Sequence, residues 1–461
     1  MPTAWVCFPG AAYTAAAAAA AAQRVLVPAG WRVATSDGAD EAPLGVDAYI
    51  ADYDLLPFEH LLGSDTPCSS YVIRKALIRK HYLAHILHTH HVKQGATTHT
   101  PQTWTLDIQF ADELDELLAD DLYDLRDELA ENVRRAAAGA PLSWYILKPG
   151  MADQGNGIRL FASQDRLLEI FEEFGDEDED EDGDDMENAR ALDGAQAGGA
   201  RRLSDAGSHD QDLDPSTSVL TSQLRHFVIQ KYIHPPLLNA PDGAEARKFH
   251  LRVYVICVGG LQVYLHNDML ALFAPAAYEP PRDDADLRGH LSNTCLGARQ
   301  GGDARASVFL FDALQGTKIQ VDACGATRED VLSAAHCAAV HEKAAATIGE
   351  VFGAVAREAS IHWQMWPSAF EIFGVDLLVG CDMDALPAAR IPPEALQVWL
   401  LEVNAQPDFA QSGPGLHAVV EHVFARAMQL GVLREGGESW PVGERRDRCT
   451  RCFAGALIKG R

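Results

Sequence analysis

The sequence predicts a mixed α/β (α+β) protein with a small N-terminal β-α-β domain, and three observations carry that prediction. Short apolar runs flank an alanine-rich helix former within residues 1–70. Past residue 226, apolar runs of strand length follow one another with glycine turns between them. Two stretches with helical apolar spacing interrupt those runs.

Trp5–Phe8 and Arg24–Val27 are expected strands, and Ala15–Ala22 between them is a strong helix former. Asp47–Ala51 is a further strand, followed by the acidic Asp52, Tyr53 and Asp54, so 1–70 reads as a parallel-sheet domain. Tyr71–Val92 reads as one basic amphipathic helix, with Ile73, Leu77, Ile78 and Leu83 at roughly helical spacing. Its His85, His88, His90 and His91 fit either a metal site or a solvated helix end. Asp112–Ala138 is a second helical block, acidic at its start and ending in Arg134 and Arg135, as the helix dipole favours.

Trp144–Lys148 is a strand and Gly150–Gly157 a glycine-containing loop. Residues 175–222 are acidic, then rich in Gly, Ala, Ser and Asp. They cannot bury enough apolar surface to offset their ordering entropy, and a disordered insertion is expected. Phe227–Ile233, Phe249–Val258 and Leu261–Leu265 are strands, the last two joined by a tight turn at Gly259-Gly260. A helix over Glu329–Glu358, strands Phe370–Val379 and Gln397–Val403, and a helix Gly415–Leu430 ending at Gly431 complete the chain. Antiparallel strands with helices on one side are expected for this half. The segments are 1–70, a central lobe 71–231, a C-terminal lobe 232–435 and a tail 436–461.

A chain of 461 residues, 47% hydrophobic, is long enough for two or three packed units. Its net charge is -28, and twelve of the carboxylates fall between Glu172 and Glu187 without one base. Such a chain repels nucleic acid and anionic membranes, so neither is an expected partner. Leu251–Leu265 is too short and too closely flanked by Lys248 and Arg252 to span a bilayer. The alanine run lacks a basic segment before it, so no secretory signal is expected and the address is cytoplasmic. Cysteines isolated in apolar runs, such as Cys257, Cys295 and Cys381, fit reduced core residues. Cys449 and Cys452 form a CxxC that lacks two further zinc ligands nearby.

Three features carry chemistry. Lys148-Pro149 ends a strand and precedes Gly155-x-Gly157, a spacing that serves either a phosphate-cradling loop or an ordinary turn. Gln230-Lys231-Tyr232-Ile233 and Lys248-Phe249-His250-Leu251-Arg252 lie on consecutive strands. Period-two alternation puts Lys248, His250 and Arg252 on one face, where a bound triphosphate or open solvent would satisfy their charge. Asp376, in an apolar strand, and Glu402 with Asn404, two apart on the next, offer oxygens suited to Mg²⁺. A salt bridge from these carboxylates to Arg252 or Lys248 is the alternative.

The strings Trp144-Tyr145-Ile146-Leu147-Lys148-Pro149, Gln230-Lys231-Tyr232-Ile233, Lys248-Phe249-His250-Leu251-Arg252, His290-Leu291-Ser292-Asn293, Phe373-Gly374-Val375-Asp376 and Trp399-Leu400-Leu401-Glu402-Val403-Asn404 resemble the ordered motifs of the tubulin-tyrosine ligase family. Arg74-Lys75-Ala76 resembles another. They span about residues 70 to 430 in family order, and the helix from Tyr71 with the small domain before it resembles the fungal branch associated with P-bodies.

The resemblance implies an ATP-grasp fold, in which two α+β lobes sandwich ATP. It implies that Lys75, Lys148 and Lys231 contact ATP, that Gln230, Lys231, Tyr232 and Ile233 lie beside adenine, and that Lys248 and Arg252 lie near ribose and phosphates. By the same resemblance His250, Ser292 and Asn293 lie near the nucleotide and Asp376, Glu402 and Asn404 on Mg²⁺, with Arg252, Glu402 and Asn404 catalytic. The implied reaction phosphorylates a carboxylate with ATP and lets an amino acid amine, of tyrosine or glutamate, attack the acyl phosphate. The acceptor would be a protein, tubulin or another, or a small molecule; a catalytically weak nucleotide-binding scaffold in cytoplasmic granules is the other reading. Two departures stand out. His250 occupies a place where the family often has an acidic residue, and His266-Asn267-Asp268-Met269-Leu270-Ala271 lacks the basic residue used near the acceptor carboxylate.

Overall fold

The computed structural model describes residues 1–461 except 37, 39–40, 96–98, 151–156, 175–225, 242–244, 283–286, 293–306, 324–325, 360, 383–389, 437–438 and 456–461. The expected insertion, Gly155, Asn293 and Cys295 lie outside the described residues. The chain forms two compact units, one of Met1–Thr103 with Tyr232–Arg461, the other of Trp104–Lys231. Residues 1–70 thus share a unit with the C-terminal half.

The first unit opens with strand β1 (Thr3–Cys7), helix α1 (Ala12–Val25), and strands β2 (Arg32–Ser36) and β3 (Ala48–Ala51). These strands form a parallel sheet in the order β2-β1-β3. Arg24–Val27 is not the strand expected: the alanine run propagates helix to Val25, and Arg24 reaches Glu421 at 2.7 Å. The single helix expected over Tyr71–Val92 is two, α2 (Lys75–Ile78) and α3 (Lys80–Gln94). Arg79 between them is extended, and Ala76 N–H bonds the His362 carbonyl, so tertiary contacts override the local periodicity. The histidine-rich end is bound to its neighbour: His90 is buried, with Nε2 2.9 Å from Glu350.

The second unit is a four-stranded sheet of β4 (Thr103–Asp107), β5 (Tyr145–Pro149), β6 (Arg159–Phe161) and β7 (His226–Lys231), in the order β4-β7-β5-β6. The helical block 112–138 resolves into a short helix, Leu114–Ala119, and α4 (Tyr123–Ala137). Leu118, Leu125, Leu129, Tyr145, Leu147 and Ile229 fill its core. Gly157 has φ +68°, and a Cβ there would lie 2.7 Å from Pro149 Cγ, so the second glycine of the loop is required for close approach to the strand end.

The first unit continues with a small antiparallel sheet of β8 (Leu237–Asn239), β9 (Ala246–Arg247), β14 (Lys318–Ala323) and β15 (Ala326–Val331). Its main sheet joins β10 (Phe249–Val258), β11 (Gln262–His266), β12 (Leu270–Phe273), β13 (Val308–Leu310), β16 (Phe370–Cys381), β17 (Leu396–Ala405), β18 (Arg445–Arg446) and β19 (Cys449–Ala454). Strand β10 pairs antiparallel with β12 and β11 along one edge and with β16 along the other. Helix α5 (Ala334–Glu358) starts at the Ser333 cap and not at Glu329, which belongs to β15.

Alternation along β10 sets the layers. Phe249, Leu251, Val253 and Val255 join Phe373 and Val375 and the Ile348, Val351 and Phe352 face of α5. Tyr254 and Ile256 face the other core, against Val420, Val423 and Met428 of helix α6 (His417–Gly431) and the alanines of α1. Helices therefore cover both faces of this sheet, not one. Gly431 is where α6 meets Phe370, whose Cγ would lie 2.4 Å from an added Cβ.

Candidate active site

The face of β10 that carries Tyr254 and Ile256 at one end carries polar residues at the other. Lys248, just before the strand, and His250 are buried, and the Arg252 side chain is 12% exposed. Each has a different anchor. Lys248 Nζ donates to the Tyr232 hydroxyl at 3.1 Å and lies over that ring, while the hydroxyl meets His290 Nδ1 at 2.9 Å. His250 Nδ1 is 2.6 Å from Ser292 Oγ. Arg252 grips Asp376 with two bonds, Nε to Oδ1 at 2.5 Å and Nη2 to Oδ2 at 3.0 Å.

Register explains these pairings. Arg252 stands opposite Asp376 across β10 and β16; Asp376 stands opposite Glu402 across β16 and β17; Gly374 stands opposite Asn404. A bulge after Asp376 shifts the remaining pairs. The Asn404 amide lies 3.4 Å from Asp376 Oδ2 and 3.5 Å from Glu402 Oε1. Gly374 makes room for this crowding: a Cβ there would be 2.7 Å from Pro407 Cβ and 3.4 Å from Arg252 Cδ.

Two facing carboxylates in an apolar sheet repel unless neutralised. Here Arg252 neutralises Asp376, and Lys80, at the start of α3, lies 3.2 Å from Glu402. Burial opposes the charge on Arg252, but the Asp376 carboxylate outweighs it and the guanidinium pKa is raised. His250 responds mainly to burial, which lowers its pKa below the ordinary 6.5 despite the pull of Asp376. Its Nε2 has no hydrogen-bond partner and lies 3.7 Å from Asp376 Oδ1.

In the second unit, Lys148 Nζ donates to Gln230 Oε1 at 2.7 Å across β5 and β7. Lys231 Nζ bonds Glu128 at 2.9 Å, and Glu128 also accepts from the Tyr145 hydroxyl. Tyr232 and Ile233 follow directly in the first unit, Ile233 beside Gly380.

Within the first unit, Lys248, His250, Arg252, Ser292, Asp376, Glu402 and Asn404 are brought together by strand register and side-chain contact. Lys75 is exposed, while Arg74 beside it is buried, 3.1 Å from Glu371 and over the Tyr53 ring. Sequence reasoning misses Lys80. Only the break at Arg79 turns it toward Glu402, and a reading of Tyr71–Val92 as one continuous helix has no such break.

The family model for the tubulin-tyrosine ligase family matches residues 65–438. A probable tubulin-tyrosine ligase of Schizosaccharomyces pombe is 35% identical over 83% of this chain and 82% of its own length. The probable tubulin-tyrosine ligase PBY1 of Saccharomyces cerevisiae is 33% identical over 82% of this chain, which spans 44% of that longer protein. Among solved structures, the C-terminal domain of K. lactis Pby1, described as an ATP-grasp enzyme interacting with the mRNA decapping enzyme Dcp2, covers 98% of this chain with a TM-score of 0.61 and 26% identity; the match takes in 99% of that domain. The chain has the ATP-grasp fold and belongs to the tubulin-tyrosine ligase family.

Proposed function

We propose that the chain is a Mg-ATP-dependent ligase that joins a protein carboxylate to the amine of an amino acid through an acyl phosphate. The observation that carries this reading is the opposed Asp376–Glu402 pair with Asn404 beside it, each carboxylate held by a basic side chain that a divalent cation would replace. The donors fit Mg²⁺, which takes oxygen ligands from one or two carboxylates and completes its shell with waters and phosphates. When bound, the cation supplies charge neutralisation of the polyphosphate.

In this reading Lys148, Gln230 and Lys231 are nucleotide-binding residues of the second unit, and Lys75, Tyr232, Ile233, Lys248, His250, Arg252 and Ser292 are those of the first, with Lys248 and Arg252 serving ribose and phosphates. The acceptor carboxylate attacks the γ-phosphorus and ADP leaves; the amine then attacks the acyl carbon, phosphate leaves, and the amine proton passes to solvent. Arg252, freed from Asp376, neutralises the transferring phosphoryl group, and Glu402 and Asn404 hold the cation in place. Positioning and charge neutralisation suffice, with no covalent nucleophile on the protein.

The amine donor is tyrosine or glutamate. The acidic chain and the missing basic residue among His266–Ala271 favour an acceptor other than the acidic tubulin tail. The Dcp2 association of the K. lactis relative supports a cytoplasmic, P-body setting for this chain. A mass-shift screen of lysate proteins with purified protein, Mg-ATP and each amino acid tests the reading. An ATP-dependent shift of one residue mass supports it; tight ATP binding without any product sinks it and favours a nucleotide-binding scaffold.

A further inference from the structure

We propose that His250 is a nitrogen ligand in the cation site of Asp376, Glu402 and Asn404, which raises the site's affinity for Mn²⁺ and later transition-metal ions relative to Mg²⁺. This rests on the cation site assigned above and concerns what that site selects.

The case begins with an orphaned atom. His250 is 3% exposed, and its Nε2 has no hydrogen-bond partner. A buried polar atom left without a partner is costly and calls for an explanation, of which a bound ion is one. The neighbouring cations are committed elsewhere: Lys248 to Tyr232 and Arg252 to Asp376. Nε2 faces Asp376 Oδ1 at 3.7 Å, too long for a hydrogen bond, and a modest side-chain shift would bring both atoms onto one ion.

The other ring nitrogen is fixed. Nδ1 lies 2.6 Å from Ser292 Oγ, and when Nδ1–H donates to that hydroxyl the Nε2 lone pair points toward Asp376. A partner on the far nitrogen is how proteins orient histidines that bind metal. Ordinary carboxylate-and-amide sites suit Mg²⁺, a hard ion that prefers oxygen; an imidazole donor shifts preference toward transition metals.

Among the described residues, no three His, Cys, Asp or Glu side chains are gathered at full ligating spacing. The basic partners account for this, because Arg252 and Lys80 hold the two carboxylates. The donor set closes when a cation takes the carboxylates over.

The test uses the full chain labelled with ¹⁵N only at histidine, Mn²⁺, and the methylene analogue of ATP, read by electron spin-echo spectroscopy. The unlabelled protein should show a directly coordinated ¹⁴N that becomes ¹⁵N in the labelled protein. In His250→Asp this coupling should vanish while Mn²⁺ still binds, and the Mn²⁺-to-Mg²⁺ affinity ratio should fall about tenfold. Mn²⁺ bound without histidine nitrogen coupling overturns this inference and leaves the ligase reading intact. No Mn²⁺ binding in the presence of nucleotide overturns both. The isotope comparison needs only the unmutated protein, and His250→Gln, a neutral polar replacement, assigns the coupling to this residue where His250→Asp does not fold.

Discussion

Glu402→Gln separates catalysis from stability at one atom. The Glu402 side chain is 29% exposed and its ion partner Lys80 is 19% exposed, at 3.2 Å. A pair at this intermediate exposure contributes about 1 kcal/mol, the upper end for water-accessible pairs, and a glutamine keeps the side-chain volume. In a chain of 461 residues that is a melting shift of at most about 2 °C. Loss of the carboxylate, by contrast, removes one formal charge from the proposed cation site, and Mg-dependent ATP turnover should fall by about 10²-fold or more. The assay pairs thermal unfolding with Mg-dependent ATP turnover in the presence of lysate acceptor and amino acids. A melting loss beyond about 5 °C would show that Glu402 is a structural group, and unchanged turnover would remove it from the site.

Asp376→Asn should behave differently, because its partner Arg252 is buried and would lose its paired carboxylate: a loss of about 3–5 kcal/mol is expected in denaturant unfolding, and a loss under 1 kcal/mol would contradict the pairing. Gly374→Ala places a Cβ 2.7 Å from Pro407 and against Arg252, so nucleotide affinity should drop with a stability cost of about 1–3 kcal/mol; calorimetry with Mg-ATP reads the first and denaturant melts the second. Glu371 supplies a pH signature. Burial raises its pKa to about 7 against the opposing pull of Arg74, so the folded state holds a proton that the unfolded chain, at 4.5, releases. Stability from this group is fully present below pH 4.5 and falls as pH rises toward 7, a trend visible as the wild-type minus Glu371→Gln difference and absent if the carboxyl ionises normally.

Much of the site was legible because it depends on strand alternation. His250 and Arg252 fall on one face of β10, with Lys248 just before it in the same alternation and Phe249 and Leu251 in the core, as period two requires. Glu402 and Asn404 share a strand face for the same reason, and their meeting with Asp376 follows once β16 and β17 pair. The salt-bridge alternative weighed for Asp376 is also present, as the Arg252 pair. What was not legible is set by tertiary contacts. The break at Arg79, which delivers Lys80 to Glu402, follows no local signal, because Tyr71–Val92 has helical spacing on both sides of it. Arg24–Val27 has a strand-like apolar content, yet helix propagation from the alanine run decides it. Helix α6 covers the second face of the sheet, and neither its own pattern nor that of β10 says which face it takes.

Diffraction from crystals grown with Mn²⁺ and a non-hydrolysable ATP analogue, collected at the manganese edge, locates the cation directly. The expected anomalous peak lies about 2.1 Å from oxygens of Glu402 and Asn404, with Asp376 turned away from Arg252 toward the ion. A bound nucleotide whose metal sits away from β16 and β17, with the Arg252–Asp376 pair undisturbed, would contradict the assignment of this site.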